Sequence, residues 1–252
     1  MPGSVKVMLG SFGILLILTI AFPEIDLWVA DLFRSGHAGF VWRARPLPNF
    51  LHEAIQIISR ALALGLTLGL GLALLRYRQI HGGWNRQLWD SVLLRVPLRQ
   101  WLFLLLALVV GPALLANVVL KDNWGRARPV QVENFGGDHP HTPPLIISNA
   151  CDSNCSFVAG DAAIAFYLHS FAYLAHSRRR RRQLLAVGMA AGMAGGLLRI
   201  GMGAHFFSDV LFAGVFMVAA SAVVHGFLFG WEATLAWWRS VMQTAAPPSS
   251  SG

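Results

Sequence analysis

At 252 residues, with 55% hydrophobic and only 13% charged residues and a mean hydropathy of +0.54, the chain lies outside the range of soluble globular proteins and is expected to fold in a membrane. No polar segment is large enough for a second folding unit, so one transmembrane domain is expected over 1–244, followed by a flexible Pro- and Ser-rich tail over 245–252. The net charge of +8 does not indicate nucleic acid, because the arginines gather beside the ends of apolar segments and not in a stripe interleaved with aromatics.

A membrane span needs roughly 20 mostly apolar residues, and six stretches qualify: 7–23, 51–75, 100–120, 157–175, 184–204 and 208–231. The fold class expected is therefore all-α, a polytopic bundle of about six transmembrane helices. The first stretch follows Lys6 but ends at Ala21, Phe22, Pro23 and Glu24 without a small-residue cleavage site, and is read as a retained span rather than a signal peptide.

Arg76, Arg78, Arg86, Arg95 and Arg99 lie between the second and third spans, and the run from Arg178 to Arg182 lies between the fourth and fifth. By the positive-inside rule both loops, and with them both termini, are cytoplasmic. Segments 24–50, 121–156 and 199–208 then face outward, although Arg34, Arg43 and Arg45 count against this over a longer loop. The five-arginine run is read as a stop-transfer and headgroup contact. Outward placement puts Cys151 and Cys155 in an oxidising compartment, where they form either a disulfide worth roughly 2 kcal/mol or two free thiols.

Three outward clusters carry charge beside apolar spans, where each ionised residue costs on the order of 2.5–3.5 kcal/mol at a helix centre and less near the interface. The first runs from Lys121 through Arg128 to Pro129; alone it reads equally as interfacial snorkelling. The second, Ser156 to Asp161, places Ala159 and Gly160 at a helix start, whose free N–H groups suit a phosphate oxygen. The third, Arg199 to Asp209, sets His205 and Asp209 four residues apart on one helix face, so that the carboxylate can accept from one ring nitrogen. Asp138, His139 and His141 lie in the outward loop among prolines and are read as scaffold; His169, His176 and His225 are placed away from the site. No spacing encodes a metal site, P-loop or dinucleotide fingerprint, and no cofactor is expected.

The order and spacing of these clusters resemble the type 2 phosphatidic acid phosphatase family, whose motifs are K-x6-R-P, P-S-G-H and S-R-x5-H-x3-D; the likeness covers roughly 100–230. It implies that Lys121, Arg128 and Arg199 hold the phosphoryl oxygens, that His205 attacks phosphorus, and that Asp209 orients the imidazole. Val158, Ala159, Gly160 and Asp161 stand where the family has Pro-Ser-Gly-His, and Leu198 stands where it has Ser. Ala159 removes a hydroxyl donor, while Gly160 still permits close approach to phosphate. Asp161 replaces the His that protonates the leaving group; it is expected to serve as that acid, the alternatives being a structural helix-start residue or a carboxylate that weakens phosphate binding.

The resemblance implies a metal-independent phosphatase acting on a membrane lipid phosphate at the outer face of the bacterial cytoplasmic membrane through a phosphohistidine. Lipid A, phosphatidylglycerol phosphate or phosphatidate, and polyprenyl diphosphates are the candidate substrates. The Trp124–Pro129 stretch, the Phe135-Gly136-Gly137 segment and the two-cysteine loop look most like the lipid A phosphatase branch. A lipid-to-lipid phosphotransferase and a non-catalytic lipid-phosphate binder or transporter are the rival readings. The oligomeric state is not legible.

Overall fold

The computed structural model describes residues 4–36, 39–82 and 96–243. The elements are α1 (Ser4–Ala21), α2 (Glu24–Asp31), α3 (Pro46–Gly82), α4 (Leu98–Leu108), α5 (Gly160–Tyr167), α6 (Arg178–Gly201), α7 (Phe207–Phe229) and α8 (Trp231–Met242). Among the described residues no strand forms, only two isolated bridges, so the fold is the expected all-α polytopic bundle. Arg86, Arg95 and the 245–252 tail lie outside the described residues.

Among the described residues α3, α4 with its continuation, α6 and α7 are long and apolar enough to cross a membrane, and the count is five if the pair α1 and α2, bent by 109°, is one broken span. The stretch expected as a fourth full span, 157–175, is instead the eight-residue α5 followed by a 3-10 helix over Leu168–Leu174. Much of its apolar surface packs against protein: Ala162, Ala163, Phe166 and Tyr167 are all fully buried, while Ile164, Leu168 and Phe171 are partly buried. Hydropathy alone does not separate protein from lipid surroundings.

Glycines on α6 let α5 lie against it. A Cβ at Gly192 would sit 2.1 Å from the Phe166 ring, and one at Gly188 would sit 2.3 Å from the His169 backbone nitrogen, so small residues here set the helix spacing, as they do between membrane helices. α7 runs through the centre, with Val210, Leu211 and Ala213 fully buried. α4 leads into a wide π-helical segment, Val109–Leu120, containing Pro112. Proline has no N–H to give an α-helical ladder; its own carbonyl accepts from the Asn117 side chain at 2.7 Å.

α6 rises about 30 Å from Arg178 to Arg199 at 1.5 Å per residue, so the arginine run and the three motif clusters occupy opposite ends of the bundle. At the arginine end, Arg181 donates to Ser240 and Arg182 to the Val241 carbonyl, which ties α6 to the amphipathic α8, while Trp237 of α8 stacks on Tyr173 at 4.1 Å. At the other end the 121–159 loop folds back on itself. Trp124 stacks on Phe157 at 4.8 Å and donates to the Pro144 carbonyl; the Ser156 N–H donates to the Arg126 carbonyl.

Candidate active site

Lys121 ends the π segment, Arg128 sits in the loop, Gly160 and Asp161 open α5, Arg199 ends α6 and His205 lies in the turn before α7. All six line one cavity of about 850 Å³. Its other wall is the face of α3 bearing His52, Gln56, Ser59, Arg60, Ala63 and Thr67, residues three or four apart and so on one helix side. Leu105, Leu108, Val109, Pro112 and Ala113 continue the opposite wall down the α4 segment. The cavity therefore begins at a cluster of cations and runs along apolar helix surface. Arg128 and Arg199 also floor a neighbouring cavity of about 700 Å³, which Arg43, Asn49 and Cys151 help to line.

Two of the cations sit against specific local features. Arg128 donates through Nε and Nη2 to the Asn154 carbonyl at 3.2 and 2.6 Å, and Asn154 belongs to the ring closed by the Cys151–Cys155 disulfide. Lys121 passes beside Gly160: a Cβ there would lie 3.2 Å from the Lys121 ammonium and 2.9 Å from Asn117 Oδ1. Burial, and then the charge of Arg128, bring the Lys121 ammonium down to about 8, with Asp161 opposing. Burial and Arg199 likewise lower Arg128 from its ordinary value. Ala159 is fully buried behind the cavity, and it provides no side-chain cap for α5. The N–H groups of the first turn are left without such a partner.

His205 is buried and donates from Nδ1 to the Ser156 carbonyl at 2.6 Å. Asp209 does not take that hydrogen bond: its Oδ2 lies 3.9 Å from Nδ1 and accepts instead from the Ser156 hydroxyl at 2.5 Å and the Phe206 N–H at 2.8 Å. The i, i+4 relation on its own would have given direct contact, but His205 precedes the helix that carries Asp209. Ser156 bridges the two. Burial, then the charges of Lys121, Arg199 and Arg128, hold the His205 imidazole well below its ordinary value, so it is neutral at pH 7.

Beneath this layer lies a network that the sequence motifs did not reveal. Arg126, fully buried, donates to Asp209 Oδ1 at 2.5 Å, Asp26 Oδ2 at 2.8 Å, the Ser208 hydroxyl at 2.9 Å and the Thr142 carbonyl at 2.8 Å. Its guanidinium also lies 4.5 Å above the Phe206 ring. Burial works against the charge, but the Asp209 and Asp26 carboxylates outweigh it and raise Arg126 above its ordinary value. Asp26 also accepts from the Ser208 N–H at 2.7 Å, which pins α2 to the start of α7. The sequence signal was two charges at the edges of apolar runs; their pairing spans 100 residues.

Asp161 meets donors on both of its oxygens. Oδ2 accepts from His52 Nδ1 at 2.6 Å and Oδ1 from Gln56 Nε2 at 2.6 Å; Arg199 Nε lies 3.3 Å from Oδ2, without the alignment of a hydrogen bond. His52 and Gln56 were not singled out in the sequence. Their signal was a polar stripe inside an apolar helix. His141, read as scaffold, packs 5.0 Å from Phe206 and is lowered from its ordinary value by burial and by Arg126. His169 donates to the Phe166 carbonyl and His225 pairs with Thr234, both remote from the cavity. Among the described residues no group of three or more His, Cys, Asp or Glu side chains could hold a metal ion.

Residues 100–243 match the PAP2 superfamily. The chain is 44% identical over 225 residues to a lipid A 4'-phosphatase of Francisella tularensis subsp. novicida, covering 84% of this chain and 90% of that protein. It is 32% identical over 222 residues to a lipid A 4'-phosphatase of Rhizobium etli, covering 82% and 80% of the two. Against one of Rhizobium leguminosarum it is 42% identical over 105 residues, 41% of this chain and 44% of that protein. No solved structure matches. Motif spacing, helical architecture and these relatives agree, and the chain belongs to the PAP2 superfamily.

Proposed function

We propose that this bacterial membrane-embedded lipid phosphate phosphatase removes the 4'-phosphate of lipid A at the outer face of the cytoplasmic membrane, through a phosphohistidine on His205. The observation that carries the lipid reading is the cavity itself. Lys121, Arg128 and Arg199 stand at its head, and from there it descends between α3 and α4 along Leu105, Leu108, Val109, Pro112 and Ala113. A headgroup phosphate docks among the cations while its acyl chains stay at bilayer depth. The names of the relatives support lipid A as the source of that headgroup.

The three cations and the first-turn N–H groups of α5 neutralise the equatorial oxygens of the phosphoryl group, and phosphoryl transfer needs little beyond that and positioning. With Nδ1–H donated to Ser156, the neutral His205 ring keeps its lone pair on Nε2, which attacks phosphorus. Water then hydrolyses the phosphohistidine. Asp209 acts on the ring through Ser156 and steadies the charge that develops there.

The test is phosphate release from a panel of purified lipid A, phosphatidate, phosphatidylglycerol phosphate and polyprenyl diphosphate, with His205→Ala as control. Loss of the 4'-phosphate from lipid A, seen by mass spectrometry and abolished in the control, is the expected result. Release that survives in His205→Ala rejects the mechanism, and preference for another lipid rejects the substrate.

A further inference from the structure

We propose that His52, a residue outside the three sequence motifs, is the acid that protonates the leaving oxygen, and that Asp161 positions it. The proposal rests on the phosphohistidine reading above. Asp161 occupies the motif position that the sequence resemblance assigns to a histidine acid, yet its surroundings suit an acceptor. His52 Nδ1 and Gln56 Nε2 each approach a different Asp161 oxygen at 2.6 Å, and Arg199 Nε stands 3.3 Å from one of them. A proton on that carboxyl group would face donors on both oxygens, so Asp161 is placed to accept and not to give.

His52 has what Asp161 lacks. Its Nδ1–H is committed to the carboxylate, so Nε2 is the nitrogen left for the cavity, which the ring lines together with Lys121, Arg128, Arg199 and His205. The side chain keeps 25% of its surface exposed, so a substrate oxygen can reach it. It comes from α3, whereas His205 comes from the turn before α7, and acid and nucleophile therefore belong to different cavity walls. A displacement with attacking and leaving atoms in line needs them on separate sides of phosphorus. The arrangement repeats the carboxylate–imidazole pairing by which a buried acid fixes a histidine's tautomer.

The step balances without any further reactant. The His205 Nε2 lone pair forms the N–P bond, the P–O bond to the sugar oxygen breaks, and the proton on His52 Nε2 passes to that oxygen to give the alcohol. In the second half His52, now neutral, takes a proton from water as the water oxygen bonds to phosphorus and the N–P bond breaks. This returns the His52 imidazolium and releases phosphate.

The experiment compares two phosphate monoesters that differ in their need for an acid: lipid A, with an alkoxide leaving group, and a long-chain nitrophenyl phosphate, whose phenolate leaves unprotonated. His52→Gln is expected to lower kcat/KM, which reports the first half of the reaction alone, by about 10²–10⁴-fold for lipid A, the usual contribution of a general acid, and by less than about tenfold for the aryl ester. Asp161→Asn is expected to follow the same pattern with a smaller loss. Retained aryl ester turnover shows in the same sample that the variant is folded. Equal losses on both substrates, or no loss on lipid A, overturn the assignment of His52. His205→Ala is expected to stop both substrates; if it does not, the nucleophile assignment is what fails.

Discussion

Ser156 is the residue through which Asp209 reaches His205: its hydroxyl donates to the carboxylate and its carbonyl accepts from the imidazole N–H. If the carboxylate acts only by that route, Ser156→Ala and Asp209→Asn should be strongly non-additive in a double-mutant cycle, the second change adding little to the first. Ser156→Ala keeps the carbonyl and loses one hydrogen bond to a charged acceptor, worth about 1.5–3 kcal/mol; a rate loss of roughly 10- to 100-fold is expected. Fully additive losses in phosphate release would mean that Asp209 acts across the 3.9 Å gap directly. Lys121 carries a second residue-level expectation. Its ammonium is lowered to about 8 by burial and Arg128, so the charge is present below pH 8 and lost above it. The substrate phosphate is already a dianion there, and KM should rise above pH 8 while kcat changes less. Lys121→Arg, which keeps its charge, should flatten that limb; a limb unmoved in the variant would assign it to another group.

At the scale of elements, the loop closed by the disulfide holds Arg128 by the carbonyl of Asn154. Replacing Cys151 and Cys155 with Ser releases that carbonyl, and the loss of about 1–1.5 kcal/mol expected for such a bond should raise KM roughly five- to tenfold, leaving the helices assembled. An unchanged KM would show that Asp122, which accepts from the Asn154 N–H, holds the loop by itself. This loop and the two cationic motifs were legible in the sequence because each is a local pattern: Lys121 to Arg128, and Arg199 to His205 to Asp209, keep their spacing on a continuous stretch of chain. Asp26 with Arg126, and His52 with Asp161, were not, because each pair joins segments 100 or more residues apart. The 157–175 stretch misled for a different reason. Its small and apolar residues are what a lipid-facing span carries, and also what a short helix needs when the glycines of α6 lie against it. α8 was not anticipated: the sixth span was ended at 231, where Gly230, at φ +94°, turns the chain into it.

For the whole molecule, polarity along the bundle axis is the feature on which stability and orientation both depend. Asp26, Arg126 and Asp209 tie α2, the 121–159 loop and α7 together at the cationic end, and every member is buried. Removing one partner of a buried ion set leaves an uncompensated charge and costs about 3–5 kcal/mol. Asp26→Ala should therefore lower the apparent Tm in detergent markedly, whereas His205→Ala stops turnover with little change in Tm. The opposite end carries the arginine run, and about 30 Å of α6 separates the two. In the orientation proposed above, the positive-inside rule keeps the arginines in the cytoplasm and opens the cavity outward. With Cys151 and Cys155 joined in a disulfide, single new cysteines report on this directly. A thiol reagent that does not cross the inner membrane should label Asp138→Cys, in the exposed loop above the cavity, in cells with a permeabilised outer membrane. It should label His176→Cys, exposed beside the arginine run, only after the inner membrane is broken. The reverse pattern would place the cavity in the cytoplasm and, with it, exclude a substrate held in the outer leaflet.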